Sequence, residues 1–448
     1  MPRNHEEFGT ASIHRLLIRL SVPSMLALFA NALYNIIDTI FVGRGVGAEG
    51  IAGVSIVLPV VAILSSFAHL IGIGTGTLIS RQLGREQTSE VNKTAGNGFL
   101  MIILISVFFS ILGLIFTEPI MVALGATPTI LPYASDYGSI LFIGMLWFPF
   151  CVSSSNYLRA EGNARDAMYA MLIGLLVNVV LDYVFIFPLD MGMRGAAYAS
   201  IIGKFTTLVY LAWYFTGSRH LIQFRIRDLR LDKKVLKPAF SVGLSGFGMR
   251  SSSSVANIIL NHTLGALGGD IAIATFGIIY KITLFFGMPL FGLNQGMQPI
   301  VGYNYGANKK ERIKKTMKLG FLYAIGYGLL AVLIFQVFAK PIFGLFTTNE
   351  ALLEIGPRAL RIVIAMMWLM GISHATMGAH QAMGKAKSAF VLAIQRWILL
   401  ITPMILVLPH VFNLGLDGVW LAFPLADLIG AIVALTFLYI TFKKNRVI

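Results

Sequence analysis

Phe99-Leu100-Met101-Ile102-Ile103-Leu104-Ile105-Ser106-Val107-Phe108-Phe109-Ser110-Ile111-Leu112-Gly113-Leu114-Ile115-Phe116 contains no charge and only two hydroxyls. A helix of this kind is apolar on every side, and about 20 such residues cross the hydrocarbon of a bilayer. The run sits inside a longer apolar stretch at 94–118. Comparable stretches fall near 16–43, 51–80, 131–158, 164–189, 194–216, 236–266, 272–302, 316–346, 354–382, 387–410 and 415–441. Several exceed 25 residues, which tilt or extension past the bilayer accommodates. Membrane β-barrels read as short alternating strands, and these continuous runs do not. The expected fold is an all-α integral membrane protein with twelve transmembrane helices.

The composition agrees. Charged residues make up 12% of the 448, against roughly 25% in soluble domains. Hydrophobic residues reach 56%, and the mean hydropathy is +0.78. A soluble protein of this size could not cover its surface with so few charges. Cys151 is the single cysteine, so an intrachain disulfide and a cysteine metal cage are excluded. The net charge of +15 is no nucleic-acid footprint, because the basic residues lie in short loops between apolar runs. Met1 to Ala11 is polar and reads as lacking a cleavable signal, so the first run is expected to stay as a helix.

Lys and Arg placement predicts orientation. Arg81, Arg85 and Lys93 lie in 81–93; Arg219, Arg225, Arg227, Arg230, Lys233 and Lys234 lie in 217–235. Lys309, Lys310, Arg312, Lys314 and Lys315 lie in 303–315, and Lys443, Lys444 and Arg446 in the tail. The stretches 119–130 and 411–414 have neither residue. The positive-inside rule puts both termini in the cytoplasm, and the expected location is the cytoplasmic (inner) membrane, crossed many times.

A shift of 222 positions aligns the two halves. Asn35 meets Asn257, Gly43 meets Gly265, Gly47 meets Gly269, Gly84 meets Gly306, Pro119-Ile120 meets Pro341-Ile342 and Gly162 meets Gly384. Six spans per half is an even number, so both halves enter the membrane in the same sense, a parallel repeat of the kind found in one class of secondary transporters. The expected division is a first lobe at 1–218, a cytoplasmic linker at 219–235 and a second lobe at 236–448, related by a pseudo-two-fold axis.

Ionised carboxylates in mid-helix cost about 2.5–3.5 kcal/mol on insertion scales and mark function by default. Asp38 lies in the first span and Asp182 in the fifth. Asn178 and Asp182 are four apart and Asn35 and Asp38 three apart, spacings that make neighbours on a helix. Both acids fall in the outer halves of their helices, and Ser200 in the returning sixth span reaches similar depth. Two carboxylates, amide oxygens and a hydroxyl at one level suit proton exchange or a small hard cation. The repeat offers an internal control, since Asp38 corresponds to Leu260 and Asp182 to Met404. The alternative is that each acid caps a bend or pairs with a buried base such as Lys204.

Other polar residues are less directive. Lys204, Arg250, Lys281, Arg396 and Asp427 could line a cavity, snorkel or offset one another. Gln295, Gln298 and Gln395 could line a second-lobe cavity or serve interhelical hydrogen bonds. His69, His262, His374 and His380 form no ligand-spaced pair, so no metal site is expected. Gly72-Ile73-Gly74-Thr75-Gly76 is embedded in apolar sequence and reads as a close helix contact, and no G-x-x-x-x-G-K-[ST] supports ATP drive. Pro23 lies below Asp38 on the first span, where it could bend the helix.

Leu33 to Gly43 after Pro23, Leu158-Arg159-Ala160-Glu161-Gly162, Asn178 through Phe187 and Gly195-Ala196-Ala197-Tyr198-Ala199-Ser200 together resemble the multidrug and toxic compound extrusion (MATE) family. The resemblance spans essentially the whole chain. Acids in the first lobe alone are similar to the prokaryotic DinF-like and MepA-like branch. It implies a two-lobed antiporter that exports organic cations against inward H⁺ or Na⁺, working as a monomer without a cofactor. The family's cation site would fall on Asp38, Asn178, Asp182 and Ser200. Asn31 and Tyr34 match cavity-lining positions, with Asn35 beside them, and Gln395 and Arg396 are the second lobe's substrate candidates. Pro23 would be the hinge. Lys204 departs from the pattern, which implies a neutral residue there.

On this reading the acid pair trades its charge between drug and inorganic ion during alternating access. The nearest rival is a lipid-linked oligosaccharide flippase of the same superfamily, which needs a basic cavity for pyrophosphate; Arg250, Lys281 and Arg396 keep it open. A membrane enzyme is not expected, because neither H-E-x-x-H nor G-x-S-x-G occurs.

Overall fold

The computed structural model describes residues 6–217 and 221–444. Of the charges counted for orientation, Arg219 and Arg446 lie outside the described residues, as do 1–5, 218, 220, 445, 447 and 448. No strand occurs among the described residues. The first half of the chain holds α1 (Ile13–Gly45), α2 (Ala48–Gly84), α3 (Thr88–Ile115), the short α4 (Thr117–Ala123), α5 (Leu131–Gly144), α6 (Phe148–Ala160), α7 (Ala164–Ile186) and α8 (Gly192–Thr216). The second half holds α9 (Lys233–Gly306), α10 (Lys310–Val337), the short α11 (Ala339–Gly344), α12 (Glu350–Ile364), α13 (Met370–Ala382), α14 (Ala386–Ile394), α15 (Thr402–His410) and α16 (Gly415–Lys444). A π-helical stretch, Gln395–Ile401, joins α14 to α15.

Nine helical segments among the described residues are long and apolar enough to cross a bilayer, or ten when α5 and α6, bent by 46°, count as one span. One of the nine is α9, whose 74 residues would reach about 110 Å if straight, several times the hydrocarbon thickness. It is interrupted at Gly269, where φ is 62° and ψ −157°. Only glycine adopts that conformation cheaply, so the break is written into the residue type. The helix bounds keep the sequence offset. Thr88–Ile115 and Lys310–Val337 begin and end 222 positions apart, and so do α2 and the part of α9 beyond Gly269. Positive φ recurs at the same offset in Gly47 and Gly269, Glu86 and Asn308, and Gly162 and Gly384.

The chain divides into two compact units. The first is built mainly from Val22–Gly243, the second from Phe8–Ser21 with Leu244–Ile448. Thus α1 belongs to the second unit up to Ser21 and to the first from Val22. Helix α9 changes in the opposite sense between Gly243 and Leu244.

Within the first unit, α2 packs on α3, α5 and α6, and α8 on α5 and α7. Its core joins Val54, Val57 and Leu64 of α2 to Tyr137, Ile140 and Phe142 of α5 and Ala196, Ala197 and Ile201 of α8. The Gly72–Gly76 run lies inside α2; a side chain at Gly74 would strike the Ala239 carbonyl at 2.1 Å, as a close helix contact requires. The connecting segment is tied to this unit by buried Asn97 and half-buried Asn92. Asn97 accepts the Asp232 N–H at 2.6 Å and Asn92 that of Gln223 at 2.9 Å. In the second unit, Asn304, Lys309 and Arg312 donate to the carbonyls of Phe8 and Gly9, satisfying groups that the start of the chain would otherwise leave bare.

Candidate cation site in the first unit

Three helices each present a polar pair four residues apart: Tyr34 and Asp38 on α1, Asn178 and Asp182 on α7, Ser200 and Lys204 on α8. That spacing puts both members of a pair on one face. Small residues bring α7 and α8 together. A side chain at Gly203 would meet the Gly174 carbonyl at 2.7 Å and the Asn178 Cβ at 2.8 Å, so glycine at both positions sets the closeness of the pairs. The Tyr34 hydroxyl and Ser200 Oγ are 2.7 Å apart, joining α1 to α8.

Asp38 is 5% exposed and Asp182 fully buried; Asn178 and Ser200 are buried with them. Asp38 and Asp182 lie within electrostatic range of each other, and Asp38 also of Lys204. Neither acid is in an ion pair with it. The Lys204 ammonium instead lies over the Tyr34 ring, 4.6 Å from its centroid, and 5.7 Å from that of Phe148. Asp38 Oδ1, both oxygens of Asp182 and both amide atoms of Asn178 have no hydrogen-bond partner. Asn178 stands beside Asp182 without reaching bonding geometry. Buried carboxylates left in this state are costly, so the site favours whatever neutralises them, a proton or a cation.

The remaining candidates fall elsewhere. Asn35 is exposed and donates its amide to the Asn31 carbonyl at 2.7 Å, so the structure does not join it to Asp38. Asn31 is half-buried, and Pro23 is buried within an unbroken α1. In the second unit, Gln395 donates to the Gly430 carbonyl at 3.2 Å. Arg396 makes a two-pronged pair with buried Asp427, Nε to Oδ1 at 2.6 Å and Nη2 to Oδ2 at 3.3 Å. The position matching Asp38 is Leu260, fully buried. Among the described residues no group of three or more His, Cys, Asp or Glu is placed to hold a metal ion.

Sequence reasoning missed Phe148 and Tyr137, which α6 and α5 bring to the site. It also missed the role of Glu161, just past the end of α6. This carboxylate accepts from the N–H groups of Leu221 and Ile222 and from the Tyr214 hydroxyl, holding the connecting segment. Burial pushes the Glu161 carboxyl up to about 7, against the lowering effect of those bonds. The signal was present: a lone acid in Leu158-Arg159-Ala160-Glu161-Gly162 at a helix end.

The MatE family pattern matches residues 23–184 and again 247–407. The chain belongs to the MatE family. The resemblance seen in the sequence is borne out. Among its MatE relatives are the multidrug export protein MepA of Staphylococcus aureus (strain N315), 28% identical over 437 residues, 97% of this chain and 95% of that protein. MepA of Staphylococcus haemolyticus is 27% identical over 432 residues, 96% and 94% of the two chains. A crystal structure of MATE in the bent conformation superposes with a TM-score of 0.94 at 25% identity, covering 100% of this chain and 99% of that one. MatE chains of this kind are membrane transporters.

Proposed function

We propose that this chain exports organic cations by antiport against inward H⁺ or Na⁺, through alternating access, with Asp38 and Asp182 as the exchange site. The observation that carries this reading is the pair of buried carboxylates without hydrogen-bond or ion-pair partners, gathered by α1 and α7 beside Asn178 and Ser200. Ionised, the pair attracts a lipophilic cation. Neutralised from outside, it loses that attraction and the cargo leaves. Asn31, Tyr34 and Asn35 are proposed contacts for the cargo in the first unit; Gln395 and Arg396, the second unit's candidates, are engaged by the Gly430 carbonyl and by Asp427. Similarity in sequence to MepA, whose name is multidrug export protein, supports the cargo class.

The full architecture belongs to the same proposal: twelve spans in two six-helix lobes with a parallel pseudo-two-fold relation, both termini cytoplasmic, in the inner membrane, acting as a monomer. Two separate family matches, the break at Gly269 and the constant offset of helix bounds support it. We take 1–218 and 236–448 as the functional lobes and 219–235 as their connection. The change of unit at Ser21 and Val22, next to Pro23, supports Pro23 as the hinge. A flippase for lipid pyrophosphate is less well supported, since Arg396 is held by Asp427. The test is efflux of a fluorescent organic cation from proteoliposomes with independently imposed pH and Na⁺ gradients. Full transport by a folded Asp38→Asn, Asp182→Asn double variant would end the proposal.

A further inference from the structure

Lys204 is a charge of the first unit that makes no ion pair among the described residues. Its ammonium faces two aromatic rings, Tyr34 at 4.6 Å and Phe148 at 5.7 Å. Its main-chain carbonyl accepts the Cys151 thiol at 3.6 Å, which fixes this turn of α8 against α6. An ammonium taken from water is stabilised by ring faces, and more so when desolvated. Because it sits on rings rather than on a carboxylate, it leaves Asp38 and Asp182 without a bonded partner while still adding a positive charge within reach of Asp38.

We propose that Lys204 is a built-in cation that makes this site proton-coupled and keeps Na⁺ out. The inference rests on the exchange site proposed above and goes on to name its coupling ion. Every titratable or charged group around the acids enters the count: Tyr34 on α1, Tyr137 on α5, Cys151 on α6, the acids on α1 and α7, and Lys204 on α8. With both acids ionised and the ammonium charged, one negative charge remains uncompensated. A proton from the outer water cancels it by forming one O–H bond on one carboxylate oxygen, and needs no other ligand. A metal cation needs several oxygens converging on it. Here the Tyr34 and Ser200 hydroxyls are already bonded to each other, and the incoming ion would have to lie near a resident positive charge that like-charge repulsion sets against it. Lys204 thus acts as a specificity-determining residue.

Efflux of ethidium from proteoliposomes is measured for wild type, Lys204→Met and Lys204→Arg, with a pH gradient in Na⁺-free buffer and with a Na⁺ gradient at equal pH. Wild type and Lys204→Arg are expected to respond to the pH gradient and to show no Na⁺-driven efflux above protein-free liposomes. Lys204→Met is expected to gain Na⁺-driven efflux several-fold above wild type. Na⁺-driven efflux by wild type, or a Lys204→Met protein with the ion profile of wild type, overturns the inference but leaves the antiport reading standing. Absence of efflux with either gradient in folded wild type overturns both. If Lys204→Met does not fold, radioactive Na⁺ binding to purified wild type decides: no saturable binding upholds the inference, and binding lost in Asp38→Asn overturns it.

Discussion

Each unit buries aspartate, and the two do so in opposite ways. Asp427 in the second unit is gripped by Arg396, 2.6 Å from Nε, on a π-helical stretch whose wider turn presents the guanidinium to α16. Asp38 and Asp182 in the first have no such grip, and the nearby Lys204 rests on aromatic rings. A buried charge with a partner is part of the framework. A buried charge without one is available for exchange. The positions matching Asp38 and Asp182 carry Leu260 and Met404, so the helical framework does not require acids where the first unit has them.

The largest expected effect is on transport. Asp38→Asn or Asp182→Asn should reduce gradient-driven dye efflux to the level of empty liposomes while leaving the melting temperature in detergent unchanged or higher, because each removes an unpartnered buried carboxylate. A clear loss of melting temperature in both would mean that these acids, like Asp427, are structural. Next in size, Arg396→Met should destabilise the protein by about 3–5 kcal/mol by leaving Asp427 charged and alone. Converting Arg396→Met and Asp427→Leu together should recover most of that loss, read by thermal melting. If the single change is silent, the contrast between units disappears.

A smaller contrast lies just past the end of α6 and at the matching place in the second unit. Glu161 keeps its proton up to about pH 7 in the folded protein, against an ordinary value of 4.5. Between those values the folded chain holds a proton that the unfolded chain has released. Stability should therefore be highest below about pH 4.5, fall as pH rises towards 7, and then level off. The corresponding residue in the second unit is Met383, so Glu161→Gln should flatten the slope of melting temperature against pH, and Met383→Leu should not. The smallest effects belong to the surface pairs, Arg194 with Asp136 and Arg358 with Asp417, whose arginines are 65% and 72% exposed. Breaking either should leave the melting temperature close to that of wild type, because solvent screens such exposed pairs.

The apolar runs, the offset of 222 and the mid-helix acids were all legible in the residues, as was the family. The facing of individual side chains was not. Asn35, three residues before Asp38, was expected beside it; Tyr34, four residues before, faces the site instead, because four steps of about 100° return closer to the same direction than three. The pairing of Arg396 with Asp427 spans two helices, and no local spacing announces it. The change of unit along α1 and α9 leaves no mark in hydropathy.

Hydropathy, charge in loops and helical spacing are properties of consecutive residues, so the sequence by itself determined that this is a membrane helix protein, a MatE-type repeat with acids in one half. Which polar atoms meet depends on how helices rotate and approach, as Gly174 and Gly203 do for α7 and α8. Only the tertiary structure decided that Lys204 faces rings, that Arg396 faces an acid, and that Asp38 and Asp182 have no bonded partner.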